Sequence, residues 1–149
     1  MASQGKILVV DDNVSLVRML EGVLHQQDFD VITAYDGEEA LAQARAHLPD
    51  LIVLDIIMPG MDGYEVCRRL NDEAATAAIP VILLTVKGQV DDPDLDPDGL
   101  DARIAEQLAG YEVGAIDFFP KPVRAGELLE RIKSYLSIDR AAGVRGEAM

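Results

Sequence analysis

The run Leu51-Ile52-Val53-Leu54-Asp55 constrains the fold more than any other stretch of the chain. Four apolar residues without a polar interruption suit a strand buried on both faces, and such strands belong to parallel sheets covered by helices. A carboxylate ending that strand belongs where the sheet meets solvent. In open α/β sheets, the crevice outside the carboxyl ends of the strands is where ligands bind. Taken alone, Asp55 is better read as opening a turn, where aspartate is common. The other strand-like runs decide the matter, because they also end in polar groups.

Taken in order, the chain alternates strand and helix. Lys6 to Val10 is apolar and ends at Asp11-Asp12. Asn13 is placed to cap a helix whose stripe is Leu16, Val17, Leu20, Val23 and Leu24. Phe29 to Tyr35 alternates as a strand does. Asp36-Gly37-Glu38-Glu39 then opens a helix carrying Leu41, Ala44 and Leu48, which Pro49 stops. After Asp55 a loop with Pro59, Gly60 and Gly63 leads to a helix from about Asp62, with Val66 and Leu70 inward. Ile79 to Thr85 is a fourth strand, and Ala115 to Phe119 a fifth, followed by Pro120-Lys121-Pro122. The last helix uses Leu128, Leu129, Ile132, Tyr135 and Leu136. Five strands alternating with helices predict an α/β fold, a single doubly wound five-stranded parallel sheet.

With 149 residues, 49% of them hydrophobic, the chain is long enough for one full core. A net charge of −14 argues against direct binding to nucleic acid or an anionic membrane by this segment. Cys67 is the single cysteine, which excludes an intrachain disulfide or a cysteine metal cluster. Ile7 to Val10 is too short for a signal-peptide core and runs into two acids, and no apolar segment reaches membrane-spanning length. A cytoplasmic location is the expectation.

The strand ends bring together Asp11 and Asp12, Asp55, Thr85 and Lys121. Carboxylates converging on one crevice repel each other, and a hard divalent cation relieves that; few oxygen ligands with room for water suit Mg²⁺. Lys121 adds a second positive charge, and Thr85 a hydroxyl able to bind a phosphoryl oxygen. Such a set suits transfer of a phosphoryl group onto a carboxylate nucleophile.

Val9-Val10-Asp11-Asp12-Asn13, Leu54-Asp55-Ile56-Ile57-Met58-Pro59-Gly60-Met61-Asp62-Gly63, Leu83-Leu84-Thr85 and Phe119-Pro120-Lys121-Pro122 together resemble the receiver domain of two-component response regulators. The resemblance covers about Lys6 to Ile138 and implies a flavodoxin-like (βα)5 sheet in the order 2-1-3-4-5. By the same resemblance, Asp55 is the phosphoacceptor, taking a phosphoryl group from a sensor histidine kinase or phosphotransfer protein. Asp12 is implied as a direct Mg²⁺ ligand, Asp11 as an acid reaching the metal through water, and the Ile57 carbonyl as a further ligand. Thr85 becomes the switch hydroxyl, Lys121 the phosphate-binding lysine and Phe118 the aromatic switch, with Lys121-Pro122 in cis. The implied function is a phosphorylation-dependent switch that assists its own phosphorylation and dephosphorylation without being a turnover enzyme. It would control an effector protein or output domain through its fourth-helix, fifth-strand, fifth-helix face. Asp117, Glu112 and Arg131 match charged positions of that face, through which many receivers dimerise. The domain is expected over 1–138, with 139–149 as a flexible tail or the start of a linker.

Several positions depart from the family pattern. Val86 follows Thr85 where a small residue is usual, and Phe118 has no hydroxyl, so burial alone must drive its movement. Ile57 is apolar on the attacking water's route, which predicts slow autodephosphorylation. About a dozen extra residues between Thr85 and Lys121 form an acidic, proline-bearing insertion at about 87–99. Asp94, Asp96, Asp98 and Gly99 match the first half of a calcium loop, but its twelfth position is Ala105, so a solvated acidic loop is the better reading. Two alternative functions fit the same acids: an Mg²⁺-dependent aspartyl-nucleophile phosphohydrolase and a receiver-like scaffold that is never phosphorylated. The first wants an aspartate where Ile57 stands; the second leaves the acid, threonine and lysine set without a purpose.

Overall fold

Alternate residues of the apolar strands face opposite sides, so each strand has to be covered twice. The computed structural model describes residues 4–86 and 114–148 and shows how this is done. The strands are β1 (Lys6–Val10), β2 (Asp30–Ala34), β3 (Leu51–Asp55), β4 (Val81–Val86) and β5 (Asp117–Lys121). The helices are α1 (Val14–Gln26), α2 (Gly37–His47), α3 (Gly63–Asp72) and a C-terminal helix (Ala125–Ala148). All strands are parallel, in the order β2-β1-β3-β4-β5, as expected of the flavodoxin-like receiver fold.

On one face Leu8, Val10, Ile52, Leu54, Val81 and Leu83 pack against Leu41 and Ala44 of α2 and Val66 and Leu70 of α3. On the other, Ile7, Val9, Leu51, Val53, Ile82 and Leu84 pack against Val17, Leu20 and Leu24 of α1 and Leu128, Ile132 and Leu136 of the C-terminal helix. Each of the valine, leucine and isoleucine side chains contributes on the order of 1.5–3 kcal/mol by leaving water. That burial fixes the sheet against which the polar strand ends are held.

Helix starts follow the acids and the amide in the sequence. Asn13 Oδ1 accepts from the Leu16 N–H, Asp36 Oδ1 from Glu39 and Asp62 Oδ1 from Glu65. Glu39 also reaches back to accept from the Tyr35 N–H at 3.2 Å.

Some expectations need correction. Leu48 does not belong to the inward stripe of α2 and is 53% exposed, because it caps the helix in a left-handed conformation (φ 46°) that turns the chain toward β3. Strand β5 runs two residues later than expected, so Pro120 and Lys121 lie within it; Pro120 occupies a place on the edge strand, where a missing N–H is tolerated. The C-terminal helix runs on through 139–148, the stretch expected as a flexible tail or the start of a linker. The insertion at about 87–99, the calcium-loop positions, the fourth helix and Glu112 lie outside the described residues.

Candidate functional site

Parallel pairing brings the carboxyl ends of the strands to one edge. Asp11 directly follows β1, Asp55 ends β3, Thr85 is the penultimate residue of β4, and Lys121 ends β5. Asp55 pairs in register with Leu84, and Val86 with Lys121, which sets the four residues in neighbouring rows.

The acids and the lysine meet. Carboxylate oxygens of Asp11, Asp12 and Asp55 lie within 4.8 Å of one another. Lys121 Nζ stands 2.7 Å from Asp11 Oδ2 and 3.1 Å from Asp55 Oδ1. Asp11 is fully buried and Asp55 is 1% exposed, whereas Asp12 faces solvent. Asp11 Oδ1 accepts from the Asn13 N–H at 3.0 Å, a local bond that orients the carboxylate.

Burial, and then the charge of Asp11, push the Asp55 carboxyl up from 3.8 to about 6, against the opposing pull of Lys121. For Lys121 burial acts downward, but its contacts with Asp11 and Asp55 outweigh that and hold the ammonium above its ordinary pKa. One ammonium therefore does not fully offset two buried carboxylates. Asp11 Oδ2 and Asp55 Oδ1 are buried without an aligned hydrogen-bond donor, so the charge of Lys121 is their compensation. A buried all-oxygen pair with one solvent-facing acid beside it fits a hard divalent cation that keeps some of its water.

Around this centre the side chains take distinct positions. Thr85 is half-buried and, by strand alternation, shares a sheet face with Leu83 and its register partner Phe118. Phe118 is half-buried and packs against the core on that face. Ile57 is 51% exposed at the rim. The Lys121-Pro122 bond is cis, as expected. Below the site, Asp117 Oδ2 accepts from Arg131 Nη1 and from the Tyr135 hydroxyl, each at 2.7 Å. Arg131 also lies over the Phe119 ring, 5.2 Å from its centroid. The candidate dimer charges Asp117 and Arg131 are thus paired within the chain.

Some contributors were not singled out from sequence. Gly63 N–H donates to the Ile56 carbonyl at 2.8 Å and packs directly on the backbone of Asp55. Gly37 packs on Met61 in the loop after Asp55. Thr76 is buried and donates its hydroxyl to the Leu70 carbonyl at 2.6 Å, closing the end of α3. Glycine inside a loop or helix start was the available signal for the first two; nothing local marks Thr76.

Among the described residues no helix is long and apolar enough to cross a membrane. The family model of the response regulator receiver domain matches residues 7–95. Response regulator PleD of Caulobacter vibrioides is 44% identical over 129 residues, covering 87% of this chain and 25% of PleD. The alkaline phosphatase synthesis transcriptional regulatory protein PhoP of Bacillus subtilis is 39% identical over 142 residues, covering 95% of this chain and 52% of PhoP. The chain thus spans only about a quarter to a half of these relatives. The crystallised chemotaxis protein CheY4 of Vibrio cholerae superposes with a TM-score of 0.72 at 28% identity, over 89% of this chain and 98% of CheY4. Strand order, strand-end chemistry and family match converge, and the chain belongs to the response regulator receiver domains of two-component signalling.

Proposed function

We propose that this receiver accepts a phosphoryl group on Asp55 from a sensor histidine kinase or phosphotransfer protein and signals through the face formed by its last strand and helix. The observation that carries the reading is the contact of Lys121 Nζ with both Asp11 Oδ2 and Asp55 Oδ1, each buried and without an aligned donor. An ionised Asp55 oxygen attacks phosphorus; the new O–P bond forms as the N–P bond to the donor imidazole breaks. Asp11, Asp12, Asp55 and the Ile57 carbonyl would hold Mg²⁺, which supplies positive charge to the phosphoryl oxygens. Lys121 would turn its ammonium from the carboxylates toward a phosphoryl oxygen. Thr85 donates its hydroxyl to another, and the space it vacates on the shared face is taken by Phe118, a two-state shift that reaches β5. The receiver would occupy 1–138, act in the cytoplasm on an effector or output domain, and assist its own chemistry without turnover. A homodimer through the last strand and helix would exchange the Asp117–Arg131 pair for contacts across the interface.

Incubation with acetyl phosphate and Mg²⁺ followed by intact mass tests the reading. The expected result is a gain of one phosphoryl group, absent in Asp55→Ala; a gain that persists in Asp55→Ala rejects it. A second expectation concerns decay. Ile57 is 51% exposed at the rim and offers no hydrogen bond to an attacking water. Ile57→Asn should speed loss of the acyl phosphate several-fold, and equal decay rates would remove the argument.

A further inference from the structure

We infer that Gly37, the first residue of α2, is a positioning residue for the loop that follows Asp55, an inference that rests on the proposed role of that carboxylate. A β-carbon at Gly37 would lie 2.8 Å from Met61 Cβ, 3.0 Å from the Met61 carbonyl oxygen and 3.0 Å from Val66 Cγ2. The first two atoms belong to the loop backbone or are bonded to it, so no rotamer change moves them away. Gly37 is buried, and α2 is anchored through Ala40, Leu41 and Ala44 in the core. The helix therefore approaches the loop at a distance that only the absence of a side chain allows.

The loop is the part able to yield. Asp55 is fixed by β3, and α3 by Val66 and Leu70 in the core. Between them Gly60 has φ +78° and open space around it. A push on Met61 would be taken up there and would reach the segment that carries the Ile57 carbonyl. It would also pull on the Gly63 N–H to Ile56 carbonyl bond that closes the loop. Gly37 thus acts on the acid site through Met61, without touching Asp55.

Amide hydrogen exchange by NMR tests this in the Gly37→Ala chain, with Gly22→Ala as control, since a β-carbon at Gly22 meets nothing within 4 Å. In Gly37→Ala, exchange at Gly63 should accelerate at least about tenfold more than at Leu8 and Val9 in β1, a difference that uniform loss of stability does not produce. The Mg²⁺ concentration giving half-maximal thermal stabilisation should rise by about tenfold, and phosphoryl uptake should slow in parallel. Equal acceleration at Gly63 and β1, or none, overturns the inference. If Gly37→Ala does not fold, Met61→Gly removes the packed β-carbon without adding a clash; undiminished protection at Gly63 in that variant overturns it too. Wild-type chain that takes up no phosphoryl group rejects the Asp55 reading alone, because the exchange comparison needs no phosphate.

Discussion

Gly63→Ala is expected to cost about 3 kcal/mol or more of folding stability, at the upper end of overpacking effects. The added methyl would run into the Asp55 carbonyl oxygen and stand 2.8 Å from Ile56 Cα and 3.0 Å from the Asp55 carbonyl carbon. These are backbone atoms at the end of the central strand β3, which pairs with β1 on one side and β4 on the other, and of the residue just after it, so they cannot give way cheaply. The alternative, tilting α3 outward, opens the contacts of Val66, Cys67 and Leu70 with the sheet. Either route disturbs the end of the strand that carries the carboxylate. The melting temperature should fall on the order of 10 °C, and phosphoryl uptake should be lost even where the variant stays folded. Gly126→Ala is the reference, since a β-carbon there meets nothing within 4 Å and alanine favours a helix. Thermal and urea denaturation measure the difference; a Gly63→Ala chain within about 0.5 kcal/mol of wild type would mean that the backbones do not pack this closely.

The sheet was legible because its signal is carried locally. Leu51 to Leu54 and Val81 to Leu84 are buried on both faces, and such strands can have few polar positions. The polar strand ends were legible for the same reason, since a carboxylate after an apolar run has only the sheet edge to occupy. Other features depend on relations between distant residues. That Lys121 meets Asp11 and Asp55 follows from the strand ends, but that one ammonium touches both carboxylates at once is not encoded by spacing. Leu48 fits an apolar period yet turns outward, because the left-handed cap, not the periodicity, decides where it points. The demands on Gly37 and Gly63 come from how near another backbone lies, which composition and periodicity do not report. Asp117 matches a charged position of the partner face, but its contacts with Arg131 and Tyr135 from the helix that covers β5 are long-range and leave no local signal.

Asp55→Asn should make the metal-free protein more stable at neutral pH, although it removes a partner of Lys121. Two effects compete. Loss of the 3.1 Å contact to Nζ is unfavourable, but Lys121 keeps Asp11 at 2.7 Å. Removal of a buried charge beside Asp11 is favourable, and it is the larger effect, because the net result of all these influences raises the carboxyl to about 6. The sign follows from proton binding. Between the unfolded value of about 4 and the folded value of about 6, the folded chain binds more protons at Asp55, so its stability falls as pH rises through that window. Below pH about 4 both states are protonated and nothing is lost. Above the window the deficit levels off, at roughly 2–3 kcal/mol for a shift of this size. Asp55→Asn should therefore gain about 1–3 kcal/mol over wild type at pH 7.5 and little at pH 4, read by urea denaturation at both values. Mg²⁺ should close the gap by stabilising wild type, since a ligand that binds the folded state alone raises its stability by mass action. The asparagine variant should respond much less. An Asp55→Asn chain that is less stable than wild type at pH 7.5 without Mg²⁺ would show that Lys121 dominates this carboxylate, and the strain relieved by a cation would then have to be sought at Asp11.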